Sequence, residues 1–436
     1  MNEILLPGVL EKLYTYTLDN GLKIYMVPNN KTKNFYITLN TKYGSIYTNF
    51  EYNGKKYDMP KGIAHYLEHL LFNMPDGTTA HDYFSKLGAN INAFTSFDIT
   101  CYEVFANANF KECLSYLTEY VYTPYFTKEI VNNERGIITE EINMYEDKPG
   151  TQLIYGTYNN IFIKDERQYL VSGTVSDVKK ITKEDLEICY EAFYHPENMF
   201  MIITGNFDPN EAVAIVSEVM SKKEFPKYNK PVLKFKKEPF EVKTKHFERC
   251  MNVNIPKVSV GFKVPKNAFK GLKIDERKVR LYFNLYMRVQ FGITSYLRDE
   301  LQSSKVITGG LSMNLLDTED YYVEVIAAST EYPDYFIKRV KETLCKVLAI
   351  NCVVGILYNI IFLVFPKQLV SIFISNNDPN YKLFLEFAVI LCRTFLMVMG
   401  LNFLEMTSSI VVQSLGNVKK ATMVSFIRQI ILFIPI

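Results

Sequence analysis

Three features that mark particular protein classes are scarce or missing in this sequence of 436 residues. The formal net charge is only +2, so the chain lacks the basic excess typical of nucleic-acid-binding domains, and we expect no nucleic-acid partner. The seven cysteines form no Cys-x-x-Cys pairs, which argues against cysteine metal ligation and suits free thiols in a reducing compartment. No glycine-rich phosphate loop is present.

A secretory signal is also missing from the start of the sequence. The first 30 residues contain an early acidic residue, Glu3, and lack a basic region followed by an apolar stretch. We therefore expect the first part of the chain to stay in the cytoplasm.

Charge is scarce near the end of the sequence. Residues 347–436 contain nine Asp, Glu, Lys and Arg residues, whereas charged residues make up 22% of the whole chain. The run from Val347 to Phe365 has 19 residues without a charge, enough for about 28 Å of helix, close to the thickness of a bilayer core. A second apolar run spans 383–403, and a third begins at 421. These runs predict two to three transmembrane helices, with a buried core helix as the alternative for the first.

The rest of the sequence mixes strand and helix patterns. Residues 15–48 alternate as strands do and contain an Asn-Gly turn, which predicts paired strands. Further patterns predict a helix at 62–74, strands at 90–106, helices at 108–124 and 128–150, a strand at 199–207 and a helix from Asp208. We predict a first α+β unit at 1–222, a linker at 223–241, a second, truncated unit at 242–345 and apolar helices at 346–436.

The first predicted helix carries a group of residues typical of metal chemistry. His65 and His69 lie four residues apart in HYLEH, so both imidazoles project from one face and can share an ion. In the inverted zinc motif HxxEH the glutamate, here Glu68, is a general base. It accepts a proton from a water molecule whose pKa zinc lowers to about 7. Two packed histidines on an apolar helix are the alternative interpretation, although two of only five histidines fall in this motif.

A hydrolytic zinc ion normally has three protein ligands, so a third donor is required. Glu134 and Glu141 lie seven residues apart on a predicted helix, two turns along one face, whereas Glu140 is rotated by about 100°. We assign Glu141 as the third ligand and Glu134 as an acidic residue beside the site.

The sequence resembles the pitrilysin/insulinase family of zinc peptidases, which includes mitochondrial processing peptidase and insulin-degrading enzyme. The resemblance covers about residues 5–345 and is carried by GIAHYLEHLLF, GANINAFTSFDITCY, NERGIITEEINMYEDKPG and FYHPENMFMIITGNF. In particular, the sequence resembles the bacterial branch described as elongation factor P aminopentanol modification-associated. The resemblance implies one zinc ion per chain, with His65, His69 and Glu141 as ligands, Glu68 as general base and Glu134 as a nearby acid.

The resemblance also implies a peptide substrate and a partner. The family binds peptide along an edge strand, which matches Asn92, Ala93, Phe94 and Thr95 here. It encloses the site between two homologous units, in one chain or as partner subunits, and the second unit supplies an arginine and a tyrosine. Arg298 matches the arginine, but Lys305 stands where the tyrosine is expected. We therefore expect insulinase-type α/β units, one complete and one truncated, and a homologous partner subunit.

The tail resembles a different family, the multidrug and toxic compound extrusion (MATE) transporters, through VFPKQLVSIF, QSLGNVKKA and SFIRQIILFIPI. Those transporters use twelve helices, so three helices cannot form a transport path. We interpret the junction near 344–347 as a fusion or a sequence-assembly artefact, with membrane anchoring as the role left open for the tail. For the whole chain we predict a zinc metalloendopeptidase that uses metal-activated water; the alternative is an inactive or partner-dependent peptide-binding subunit.

Overall fold

The computed structural model describes residues 1–6, 11–272 and 274–344, together with Phe365, Gln368, Leu385, Glu386 and Val389. The chain divides into two compact units, Met1–Lys237 and Glu238–Ile436.

The first unit is built on a mixed sheet of seven strands in the order β1-β2-β3-β9-β4-β8-β7. All neighbouring strands are antiparallel except β3 and β9, and β10-β5-β6 form a small second sheet. The strands are β1 Asn2–Leu5, β2 Lys12–Thr17, β3 Lys23–Pro28, β4 Phe35–Thr41, β5 Asn49–Tyr52, β6 Lys55–Asp58, β7 Asn90–Thr95, β8 Thr100–Ala106, β9 Met199–Gly205 and β10 Val232–Leu233.

Eight helices accompany these strands in the described part of the first unit: α1 Ile63–Leu70, α2 Ala80–Lys86, α3 Phe110–Val121, α4 Lys128–Asp147, α5 Pro149–Ile161, α6 Val175–Val178, α7 Lys183–Phe193 and α8 Pro209–Ser221. Alternate residues of the central strands, such as Ile37 and Leu39, pack against buried helix residues such as Leu67 and Leu117 in one core. Burial of these apolar faces is the main favourable term that holds the helices on the sheet.

The strand pairing predicted for 15–48 is only partly right. The Asn-Gly turn joins β2 and β3 as an antiparallel pair, as expected. However, β9 lies between β3 and β4 and pairs with both, so the two halves of that segment are not neighbours. The helix predicted at 62–74 is also shorter than expected, because α1 ends at Leu70.

The second unit has a three-stranded antiparallel sheet in the order β11-β13-β12. Its elements are β11 Lys257–Pro265, α9 Glu276–Phe291, α10 Tyr296–Ser303, β12 Thr308–Asp317 and β13 Tyr321–Ser329, followed by helical residues 333–344. This order of strand, two helices, two strands and helix repeats that of β4, α1, α2, β7, β8 and α3, and the sheet order β4-β8-β7 is repeated as well.

Within the described residues, none of the helices combines the length and the apolar character that a membrane crossing requires. Apart from Phe365, Leu385, Glu386 and Val389, the spans predicted at 347–365, 383–403 and from 421 lie outside the described residues.

Gly62 sets the start of α1 through its conformation and its close contacts. Its φ of 86° is left-handed, and a Cβ added there would lie 2.2 Å from the carbonyl oxygen of Ser172. Gly173 has the matching constraint, since its added Cβ would lie 2.4 Å from the carbonyl oxygen of Lys61. Only glycine fits both positions without backbone movement. The close approach of these two segments therefore fixes where the histidine-bearing helix begins.

We expect Gly62→Ala to destabilise the fold more than Gly77→Ala. Gly77 has nearly the same φ, 82°, but an added Cβ there meets nothing within 4 Å. Gly77→Ala should therefore lower the free energy of unfolding only through left-handed backbone strain, by about 1–2 kcal/mol. Gly62→Ala should lower it by about 1–3 kcal/mol more, because the added Cβ also clashes. Urea unfolding of both variants measures the difference, and equal losses would show that the contact with Ser172 imposes no constraint.

Candidate active site

The histidines predicted as ligands lie on one face of α1. Tyr66, Leu67 and Leu70 are fully buried on the core side, whereas the side chains of His65 and His69 are 12% and 23% exposed and face α4. The spacing of four residues places both rings on the same side of the helix, and their centroids are 4.5 Å apart.

Both rings point a nitrogen at the same carboxylate. The Nε2 atom of His65 lies 3.2 Å from Oε2 of Glu141, and Nε2 of His69 lies 3.5 Å from the same oxygen. Glu141 comes from α4, 72 residues after His69 in the sequence. The structure therefore brings together the two imidazoles and the distant acid that were predicted to converge.

The other nitrogen of each ring also has an acidic neighbour. Nδ1 of His69 lies 2.8 Å from Oε1 of Glu134, and Nδ1 of His65 lies 3.4 Å from Oε2 of Glu68. A carboxylate beside Nδ1 favours the tautomer with its proton on Nδ1, which leaves the Nε2 lone pair free for a metal ion. The donor set therefore fits a divalent ion held at the Nε2 side.

A further contact joins α1 to α4 and was not foreseen from the sequence. The buried Tyr66 hydroxyl donates a hydrogen bond to the carbonyl of Val131. Ile138 and Ile142 are fully buried on the inner face of α4, while Glu140 is exposed, as its rotation from Glu141 predicts. Tyr66 lies inside the HYLEH motif, but nothing in that motif identifies its partner.

Glu68 is the alternative third ligand, because ligand atoms of His65, Glu68 and His69 lie within 4.8 Å of one another. The direction of approach favours Glu141. Glu68 faces Nδ1 of His65, whereas Glu141 faces Nε2 of both rings. Glu68 therefore lies beside His65, away from the oxygen on which the two Nε2 atoms converge.

The hydrogen bonds of this group shift its pKa values. Burial lowers the pKa of His69, but hydrogen bonds to Glu134 and Glu141 outweigh it and raise the pKa to about 10. Burial also opposes the charged form of His65, and hydrogen bonds to Glu141 and Glu68 raise its pKa nonetheless. The same two histidines hold the pKa of Glu141 well below its usual range.

The segment predicted to bind peptide forms the edge of the large sheet. Residues Asn92, Ala93, Phe94 and Thr95 belong to β7, whose one strand partner in the described part of the chain is β8. Asn92 and Phe94 are exposed, and the Thr95 hydroxyl donates to Oε2 of Glu68 at 2.6 Å. The edge strand thus ends beside the histidine-bearing helix, and the side-chain contact of Thr95 was missed from the sequence.

Arg298 lies in the second unit. It is part of α10, where its guanidinium donates to the carbonyl of Ile293. Lys305, at the expected tyrosine position, follows α10 with a left-handed φ of 56°.

Comparison with known proteins identifies the family. The family model described as Insulinase (Peptidase family M16) matches residues 25–168, and that described as Peptidase M16 inactive domain matches 180–350. A Bacillus subtilis protein named uncharacterized zinc protease YmfH is 37% identical over 340 residues, which are 77% of this chain and 78% of that protein. The chain belongs to the insulinase family. The resemblance inferred from the motifs is therefore confirmed.

Solved structures of insulinase-family peptidases share the fold. An M16-like peptidase from Alicyclobacillus acidocaldarius aligns with a TM-score of 0.71 and 25% identity, covering 92% of this chain and 96% of that chain. The periplasmic protease PqqL from Escherichia coli aligns with a TM-score of 0.57 and 20% identity. The alignment covers 97% of this chain but only 47% of the PqqL chain. The mixed α+β architecture of two insulinase-type units is thereby confirmed.

The tail has a separate match. The family model named MatE covers residues 329–436, which confirms the predicted resemblance to MATE transporters. The zinc proteases among the relatives and the His65, Glu68, His69 group together support a zinc cofactor.

Proposed function

We propose that this insulinase-family chain is a zinc-dependent endopeptidase that acts on peptides or oligopeptides. The observation that supports this best is the convergence of Nε2 of His65 and Nε2 of His69 on one oxygen of Glu141, with Glu68 beside them. His65, His69 and Glu141 hold the ion, one per chain. When bound, zinc supplies a Lewis acid that lowers the pKa of water and polarises the peptide carbonyl.

The chain's own residues have distinct tasks in this proposal. The Glu68 carboxylate accepts a proton from the attacking water and later delivers it to the leaving amine. Glu134 holds Nδ1 of His69 and so keeps that ring oriented. The exposed edge of β7 at Asn92–Thr95 binds the peptide backbone as an added strand, which places the scissile bond near α1.

A second candidate function is a peptide-binding subunit that needs a homologous partner for hydrolysis. Two observations favour it: Lys305 replaces the tyrosine that the family resemblance implies, and this chain covers only 47% of the PqqL chain. In that case we propose that the partner subunit supplies the missing groups, while Arg298 of this chain acts on the substrate carbonyl.

Metal analysis combined with peptide hydrolysis tests both proposals. The purified full chain should contain about one zinc per chain and cleave a fluorogenic peptide library, with activity lost in chelator and restored by zinc. Zinc and peptide binding without cleavage would favour the second candidate. A chain that does not take up zinc would overturn both.

We expect zinc affinity to fall as the pH falls. Because the pKa of His69 is raised to about 10 in the metal-free site, that ring holds a proton at neutral pH which zinc has to displace. The apparent association constant should therefore drop about tenfold per pH unit for each displaced proton. Calorimetry in buffers of different ionisation enthalpy measures proton release, and a pH-independent affinity would contradict the displacement.

For the tail we propose membrane anchoring without transport. The low charge content of residues 347–436 and the MatE match support it, and three helices cannot enclose a polar path in lipid. Carbonate treatment of membranes should leave the full chain in the pellet. Extraction of the intact chain into the supernatant would exclude anchoring.

A further inference from the structure

Glu68 can act as a general base only if its carboxylate is held in one orientation. The residue is 6% exposed, so water cannot be its main hydrogen-bond partner. Its Oε2 atom has two neighbours, Nδ1 of His65 at 3.4 Å and the hydroxyl of Thr95 at 2.6 Å. The threonine contact is the shorter, and it comes from the strand that we propose as the peptide-binding edge.

The neighbouring hydroxyl shows which way the Thr95 proton points. Thr100 is fully buried, and its hydroxyl donates to the carbonyl of Tyr43 at 2.9 Å. The hydroxyls of Thr95 and Thr100 are 3.4 Å apart, but the single proton of Thr100 is already used. The Thr95 hydroxyl donates its own proton to Oε2 of Glu68 at 2.6 Å.

The place of Thr95 in the sheet connects the base to the substrate edge. Thr95 is the last residue of β7 and is paired with Thr100 of β8. Its side chain reaches Glu68 on α1, while its backbone belongs to the outer strand of the sheet. The side chain of Thr95 thus contacts the proposed general base, and its backbone is part of the strand to which a peptide would be added.

We propose that Thr95 is a positioning residue whose hydroxyl holds the Glu68 carboxylate in its working orientation. This role rests on the proposed peptidase function and deepens it. Backbone recognition of the peptide needs no particular side chain at this position. The hydroxyl therefore has a task separate from substrate binding, and a change there should affect turnover more than affinity.

Kinetics of Thr95→Val and Thr95→Ser test the role. Valine keeps the shape but removes the donor, so we expect kcat to fall about 10–100-fold with little change in KM. Serine keeps the hydroxyl and should restore kcat to within about threefold of the parent chain. Ser96→Ala is the matched control, because the Ser96 hydroxyl bonds Asp98 and not Glu68. Zinc content should be equal in all variants.

Thermal unfolding in chelator gives a readout that does not depend on activity. Thr95→Val should lower the midpoint by about 2–4 °C in the parent chain. In a Glu68→Met background, where the carboxylate acceptor is removed, the same change should have almost no effect, because the two residues act on one hydrogen bond.

The outcomes separate the two proposals. Unchanged kcat in Thr95→Val, equal loss in Thr95→Ser, or equal melting shifts in both backgrounds would overturn the positioning role and leave the peptidase function standing. Absence of hydrolysis in the parent chain would overturn the proposed function, and the catalytic part of the role with it.

Discussion

Glu68→Gln is expected to reduce peptide hydrolysis by about 10²–10⁴-fold while the chain keeps its zinc. Glutamine preserves the size and most contacts of the side chain but has no carboxylate to accept the proton of the attacking water. Glu68 faces Nδ1 of His65 and not the converging Nε2 atoms, and the glutamine amide oxygen can still accept from Nδ1–H, so the substitution should leave the ligand group intact. The effect should therefore appear in kcat, with peptide affinity nearly unchanged.

The matched control for this variant is Glu140→Gln. Glu140 is an exposed acid on α4, so the substitution makes the same chemical change away from the site. Hydrolysis of one fluorogenic peptide, zinc content and peptide binding would be measured for both variants. Hydrolysis at the parent rate in Glu68→Gln would contradict the general-base assignment.

Regular spacing explains why most of the candidate site was predictable. The four-residue interval between His65 and His69 and the seven-residue interval between Glu134 and Glu141 each fix a helix face. Spacing alone does not bring two helices together, since about 65 residues separate the motifs. The expectation that they converge came from ligand chemistry and family resemblance, and the structure agrees with it.

Contacts between distant segments account for what the sequence did not predict. The insertion of β9 between β3 and β4 depends on pairing across about 160 residues, which no local pattern encodes. The Tyr66 bond to Val131 and the Thr95 bond to Glu68 have the same origin. Local periodicity sets which residues form an element, whereas tertiary packing sets which neighbour that element meets.

The second unit repeats part of the first unit, and this repeat is relevant to the proposed need for a partner subunit. In the first unit α4 packs on α1, and β9 pairs with β4. By the order of elements, the counterparts of α4 and β9 would follow residue 344, and the MatE match, 329–436, extends over that part of the sequence. Helix α9, which takes the place of α1 in the order of elements, exposes Leu281, Leu285 and Val289 at four-residue intervals. Within the described residues, α9 therefore carries an exposed apolar face.

Loss of zinc in Glu141→Ala is the second large effect that we expect. Removing Glu141 takes away the oxygen on which both Nε2 atoms converge. Glu134 only holds Nδ1 of His69, so Glu134→Ala should weaken zinc binding by about 10–100-fold, as expected for an outer partner of a ligand. Glu141→Ala should weaken it by more than that, and the exposed Glu140 provides the control, Glu140→Ala.

Zinc affinity measured by competition with a chromogenic chelator ranks these variants. The expected order of loss is Glu141→Ala, then Glu134→Ala, with Glu140→Ala equal to the parent chain. The ranking also decides between Glu141 and Glu68 as the third ligand, because Glu68→Gln should keep the metal. If Glu68→Gln lost zinc and Glu141→Ala retained it, the roles of the two acids would have to be exchanged, and the proton acceptor would lie on α4.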